Sequence, residues 1–185
     1  MAILPIVRLG HPALRTPAEP LPPERLASPE VARLVDDLVE TMRAADGVGL
    51  AASQVGAGLQ LFVYEAADAE APGGGIPLRV VVNPMIEPHA GELVYDWEGC
   101  LSIPDLRGLV PRHPEVRVRG LDRRGEPLDY VAHGFEARIV QHEFDHLNGV
   151  VFLDRMRDLR SLAFYDEWES YLREKGASHD SGRPE

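Results

Sequence analysis

The chain of 185 residues contains a single cysteine, Cys100. An internal disulfide is therefore excluded, and the thiol is left to be an apolar filler, a nucleophile or a metal ligand. Long hydrophobic runs are also missing: no stretch approaches the roughly 20 apolar residues that a membrane helix requires. Positive charge is scarce, with 19 Lys and Arg against 30 Asp and Glu and a net charge of -11. That balance argues against a general nucleic-acid binder, whose affinity comes from cations neutralising phosphates. The opening MAILPIVRLGHP has neither the basic start and apolar core of a secretory signal nor the Arg/Ser-rich pattern of a transit peptide. A cytoplasmic protein with no membrane partner is expected. The glycine-rich GVGLAASQVG, Gly47 to Gly56, lacks the lysine and second glycine at the spacing of a phosphate-binding loop, and no internal repeat is evident.

What is present suffices for one domain with a sizeable core, at 44% hydrophobic residues. Pro5, Pro12, Pro17, Pro20, Pro22 and Pro23 predict an extended segment wrapped over the domain. Ser28-Pro29-Glu30 reads as a helix start, and Val31, Leu34, Val35, Leu38, Val39 and Met42 continue at helical spacing. Strands are expected at Leu59–Tyr64, at Arg79–Val82 with a stop at Asn83-Pro84, and at Leu93–Trp97. Glu65 to Pro77 reads as a flexible surface loop. Val116 to Leu121 alternates as a half-exposed strand does, and Asp122 to Gly125 can turn it into Leu128–Val131 as a hairpin. Val150–Leu153 is a brief strand or turn, and Leu159–Leu172 carries a helical pattern. The fold class is α+β, with antiparallel or mixed sheets around a central helix flanked by an N-terminal and a C-terminal helix. Residues 1–172 form one domain in this reading, and 173–185 a disordered tail.

The central helix carries Gln141-His142-Glu143-Phe144-Asp145-His146, the HExxH pattern, which aims two imidazoles at one point on one face. Phe135 and Ile139 fall on the face of His142 and His146, while Val140, Phe144 and Leu147 fall opposite, so the helix should be buried. Asn148-Gly149 offers a left-handed stop. Glu143, with Arg138 beside the same face, is then a polar group in an interior that needs a partner or a job. A catalytic metal site needs a third ligand. Phe152 stands where a metzincin-type site would have its last histidine. Glu167 and Glu169 are available downstream, although Arg160 and Arg173 make theirs read as a solvated charged face. Cys100 is available upstream, and a thiolate is a strong ligand for a transition metal.

Three segments together, GVGLAASQ (Gly47 to Gln54), EGCLS (Glu98 to Ser102) and QHEFDH (Gln141 to His146), resemble the signatures of the peptide deformylases in order and separation, from about residue 4 to about residue 172. The resemblance implies a hydrolase that removes the N-formyl group from the initiator methionine of nascent polypeptides. It implies Cys100, His142 and His146 as ligands of one divalent ion, iron(II) in the cell, with zinc, nickel or cobalt as substitutes. Glu143 would be general base and then acid, and the Gln54 amide and Leu101 N–H would stabilise the oxyanion. The backbones near Val48, Gly49 and Gly99 would pair with the substrate as a strand does. Arg107 matches a substrate-binding position, and Phe135 and Ile139, with Val48 opposite, would line the methionine pocket. Apart from the resemblance, Asp145 reads as an acceptor that orients a ligand histidine, with a surface role as the alternative. The partners implied are formyl-methionyl nascent peptides and, transiently, the ribosome, although Leu159–Glu185 is not the basic tail by which some bacterial members dock there. The insertion around Pro72 to Gly75 is a second departure. A zinc peptidase using Glu167 or Glu169, and an inert module held together by its metal, are the alternatives.

Overall fold

The computed structural model describes residues 2–66 and 75–173. The expected tail beyond Arg173 and most of the loop between Glu65 and Pro77 therefore lie outside the described residues. The proline-rich start is extended for most of its length, but Pro12–Leu14 makes a 3-10 turn and Pro23–Leu26 the single turn α1. The expectation of loop alone is corrected here, because proline at the first position of a turn has a suitable φ and no N–H to leave unpaired. The segment is a strap. Its backbone N–H groups reach Asp37 and Thr41 on the next helix at 2.6 and 2.9 Å, then Gln54 O (from Val7), Ser102 O (from Leu9) and Leu147 O (from Ala18) at 2.8 to 2.9 Å. The first two of those last three fasten it to the first and second motif segments, and the third to Leu147, the residue that follows the third.

Helix α2 (Pro29–Ala44) begins where expected, with Ser28 Oγ accepting from Val31 N. Strands β1 (Gly49–Ala51), β2 (Leu61–Ala66), β3 (Ile76–Ala90), β6 (Glu115–Leu121) and β7 (Pro127–His133) form a five-stranded antiparallel sheet in the order β1-β2-β3-β6-β7. Period-two alternation divides its side chains between two cores. Leu61, Val63, Val80 and Val82 pack with Val35, Leu38 and Met42 of α2. Phe62, Tyr64, Val81, Val116 and Val118 pack with Ile139, Val140 and Leu147 of α3 (Gly134–Leu147) on the other face. The sheet thus lies between the two long helices, and the central helix is buried as its composition implies.

Strand β3 does not stop at Asn83-Pro84. Asn83 takes φ 48 as a bulge, its side chain exchanges two 2.8 Å hydrogen bonds with the Leu21 backbone, and pairing with β6 resumes at Met85. The bulge absorbs what reads as a terminator. Strands β4 (Val94–Cys100), β5 (Ile103–Arg112) and β8 (Ala163–Phe164) make a second antiparallel sheet. After α3, Gly149 at φ 71 ends the helix. Val151–Asp154 then caps a helical turn, α4 (Phe152–Arg155), in place of the expected strand or turn, with Asp154 Oδ2 accepting from Val151 N. The expected helix over Leu159–Leu172 is interrupted: Leu159–Ser161 is a 3-10 turn and Ala163-Phe164 pairs with β5. Helix begins only at Tyr165, as α5 (Tyr165–Glu167) and a π-helical turn (Trp168–Leu172). Pairing to β5 outweighs the local periodicity.

Candidate metal centre

Cys100 ends β4 and meets the inner face of α3. Its Sγ is 3.2 Å from His146 Nε2, the His142 and His146 rings lie 4.9 Å apart, and the ligand atoms of the three residues are all within 4.8 Å of one another. These are the residues that can hold a metal ion among the described ones. Glu167 and Glu169 are exposed on the C-terminal turns and are not part of the cluster, and Phe152 is buried with its ring stacked 6.5 Å from His142.

One carboxylate organises the centre from behind. Glu98, 5% exposed, takes Arg112 Nε and Arg138 Nη1 on Oε1 and Arg112 Nη2 on Oε2 at 2.8 to 3.0 Å. His142 Nδ1 lies 2.9 Å from the same Oε2. Burial raises the Glu98 pKa, but the hydrogen bonds from His142 and Arg112 outweigh it and hold the carboxyl well below the usual range. An ionised carboxylate can only accept, so Nδ1 carries the proton and Nε2 is presented to Cys100 and His146. Asp145 does not orient a histidine, contrary to expectation: it receives Arg112 at 2.6 Å and Arg155 at 2.5 and 3.0 Å. Glu98 has the orienting role, and Arg112 is the second residue that sequence reasoning missed. The only signal for either was the place of Glu98 two residues before Cys100.

The electrostatics suit a cation. Burial lowers the His142 pKa, but Cys100 and Glu98 raise it well above its usual value, so this corner favours an added positive charge. His146 is pushed the other way, by burial first and by His142 second, and remains a neutral donor. A soft thiolate with two imidazoles is a donor set for zinc or iron, and the residues fit a divalent ion.

Glu143 is 4% exposed, and its Oε2 has no hydrogen-bond partner among the described residues. Burial pushes its pKa up to about 7, against the lowering effect of His142. A carboxyl titrating near neutrality can both take and give a proton. Gly49 makes room for it, since a Cβ there would run into the Glu143 carboxylate. Gln54 is fixed at both ends: Oε1 accepts from Ala51 N at 2.8 Å, and Nε2 donates to Ser102 Oγ at 3.2 Å and faces Cys100 Sγ at 3.6 Å.

These groups open on a cleft of about 440 Å³. It is lined by Val48, Gly49, Gln54, Gly99, Cys100, Leu101, Arg107, Phe135, Ile139, His142 and Glu143, so every residue expected to bind metal or substrate or to act in catalysis borders it except His146, which is fully buried beneath; Asp145 does not border it either. β1 and β4 are both sheet edges, each paired on one side only, and they border the cleft at Gly49 and Gly99. An open edge offers unpaired N–H and C=O groups to an extended peptide.

A family model described as polypeptide deformylase matches residues 3–161. Peptide deformylase 2 of Bordetella bronchiseptica is 46% identical over 161 residues, covering 86% of this chain and 90% of that one. Peptide deformylase 1 of Nitrosomonas europaea is 40% identical over 166 residues, covering 89% and 93%. Among solved structures, the Met-Ala-Ser-bound class I type b peptide deformylase of Acinetobacter baumannii superposes with a TM-score of 0.78 at 38% identity, covering 84% of this chain and 99% of that one.

Proposed function

The chain belongs to the polypeptide deformylase family, metal-dependent hydrolases that remove the N-formyl group from nascent polypeptides, and from that premise we propose which of its residues perform each part of the reaction. Cys100, His142 and His146 hold the ion, with Glu98 fixing the tautomer of His142. Iron(II) is the ion proposed for the cell, with zinc, nickel or cobalt as substitutes. When bound, a divalent ion there polarises the formyl carbonyl and makes the attacking water more acidic.

Glu143 takes the proton of that water and delivers it to the departing amine, so one carboxyl is base and then acid. The Gln54 amide and the Leu101 backbone N–H donate to the carbonyl oxygen as it becomes an anion; Ala51 N holds Gln54 Oε1, and the N–H that faces Cys100 Sγ at 3.6 Å is the one that turns to the anion. The formylated peptide adds as an extended strand between the open edges at Val48-Gly49 and Gly99. Its methionine side chain lies against Ile139 and Phe135, and Arg107 meets the peptide further along. Residues 1–172 act as one catalytic domain, a reading supported by the centre's drawing its groups from both sheets and α3. No helix among the described residues is long and apolar enough to cross a membrane, and the cytoplasm, where nascent chains are made, is the proposed location.

The observation that carries this reading is the buried Glu143 carboxyl, with Oε2 unpartnered among the described residues, beside the Cys100–His142–His146 cluster in a cleft with two open strand edges. The test is formate release from formyl-Met-Ala-Ser by the metal-loaded chain, beside acetyl-Met-Ala-Ser and an internal peptide bond. Rapid turnover of the formyl peptide alone is expected. Equal cleavage of formyl and acetyl peptides, or cleavage of internal bonds, would overturn it.

A further inference from the structure

The family match ends at residue 161, yet the residues that follow return to the cleft. β8 pairs with β5 so that Ala163 lies opposite Arg107 and Phe164 opposite Leu106, which brings α5 and the π-helical turn over the Arg107 side chain. The guanidinium carbon is 4.8 Å from the Tyr165 ring centroid and 5.8 Å from that of Trp168. Gly99 also closes on this group, for a Cβ on Gly99 would overlap the guanidinium. One N–H, on Nη1, is used on Leu106 O at 2.8 Å. No ion pair to Arg107 forms among the described residues.

Trp168 in turn meets the cleft-lining Trp97 edge to face, with centroids 6.1 Å apart at 66°. Both indole Nε1 atoms are buried without an acceptor among the described residues. Trp168 is therefore placed for its ring face and not for its donor. A planar guanidinium held on aromatic faces keeps its in-plane N–H fork directed outward and loses little rotamer freedom on binding an oxygen acceptor.

We propose that Trp168, with Tyr165, is a positioning residue for substrate: it fixes Arg107 so that the fork takes a carbonyl or carboxylate oxygen of the peptide beyond the formyl-methionine. This rests on the reading of Arg107 as a peptide-binding residue. The C-terminal turns are then part of the peptide site, and they set how strongly residues after the methionine contribute to binding.

The test compares formyl-Met-Ala-Ser, its C-terminal amide and the short formyl-Met-amide, using metal-loaded full-length protein. For Trp168→Ala, loss of the platform should raise KM for formyl-Met-Ala-Ser about 3- to 30-fold, the range of a partly desolvated cation–π contact. Both kcat and the KM for formyl-Met-amide should stay within about twofold. Trp168→Phe keeps an aromatic face and should recover most of the loss. Tyr171→Ala, on the same turns but 68% exposed, should behave as the unmodified chain. An effect shared by the free acid and its amide assigns the contact to a main-chain carbonyl, and one confined to the free acid assigns it to the carboxylate. Equal KM changes on short and long substrates, no recovery with Phe, or the same loss in Tyr171→Ala would overturn the proposal. Absence of turnover on every substrate by the unmodified chain would instead remove the hydrolase reading beneath it.

Discussion

Replacing Glu98 by glutamine keeps the side chain's shape and removes its charge, so Glu98→Gln isolates what the carboxylate does for the centre. Four donors converge on its two oxygens, two on each. Glutamine has one acceptor oxygen, and its NH2 must face one of these pairs. With the NH2 turned to Oε2's place, it opposes Arg112 Nη2 and requires His142 to give up the proton on Nδ1, which moves the proton to Nε2 and removes the lone pair aimed at the metal. With it turned the other way, it opposes Arg112 Nε and Arg138 Nη1, both buried. Breaking a buried ion pair costs about 3–5 kcal/mol. Arg112 keeps Asp145, and Arg138 keeps the Val110 and Val94 carbonyls, so the lower end, about 3 kcal/mol, is expected. Loss of an orienting partner should also weaken metal affinity about 10- to 100-fold. Chelator competition measures the second quantity and urea unfolding of the metal-loaded protein the first. The sign with pH follows from the depressed pKa: the Glu98 contribution is complete above its ordinary value of 4.5 and is lost as pH falls below it, and that loss should be missing in Glu98→Gln. A variant with unchanged metal affinity and an unchanged acid limb would refute the role given to Glu98.

Glu143→Gln should retain metal and fold while turnover falls at least about 10² to 10⁴, and near-normal turnover in a fully metallated variant would exclude it as the base. Cys100→Ala should lose the stoichiometric metal that Glu167→Ala and Glu169→Ala keep, as elemental analysis after dialysis would show; the reverse result would restore the peptidase alternative. Gly49→Ala should lower kcat about tenfold or more by displacing the Glu143 carboxylate about 1 Å, and a crystal structure with Glu143 unmoved at full activity would contradict the close approach.

Helix α3 was legible because its periodicity and its stop, Asn148-Gly149, are local, and because HExxH fixes which face the metal uses. The same locality explains what was missed. Asp145 lies three residues after His142 and looks like its neighbour, but the choice between Asp145 and Glu98 is made by Arg112, a residue of β5 that no spacing rule connects to either. Strand β5 itself escaped notice because Pro104, Gly108 and Pro111 mask its alternation. A Cβ at Gly108 would meet the end of the Met156 side chain, with Sδ at 2.5 Å, so the position is closely packed by a residue distant in sequence. The C-terminal segment differs from its pattern for the same reason: the helical periodicity over Leu159–Leu172 is realised only from Tyr165 onward, because Ala163 and Phe164 pair with β5, a strand distant in sequence. Glu143 was recognised as a buried carboxyl in need of a role, and its raised pKa follows from that burial.

The N-terminal strap carries a consequence for the order in which the molecule is assembled. Val7, Leu9 and Ala18 are synthesised well before their acceptors, which belong to Gln54, Ser102 and Leu147. The strap must therefore wait for these later residues and docks once they have come together, closing the site as a drawstring closes a bag. Such late-docking backbone pairs exchange their amide hydrogens through small openings that leave the sheet intact. Amides at Val7 and Leu9 should accordingly exchange faster than those of Val63 or Val81, and an extension fused ahead of residue 1 should be felt at the metal centre before it is felt in the core.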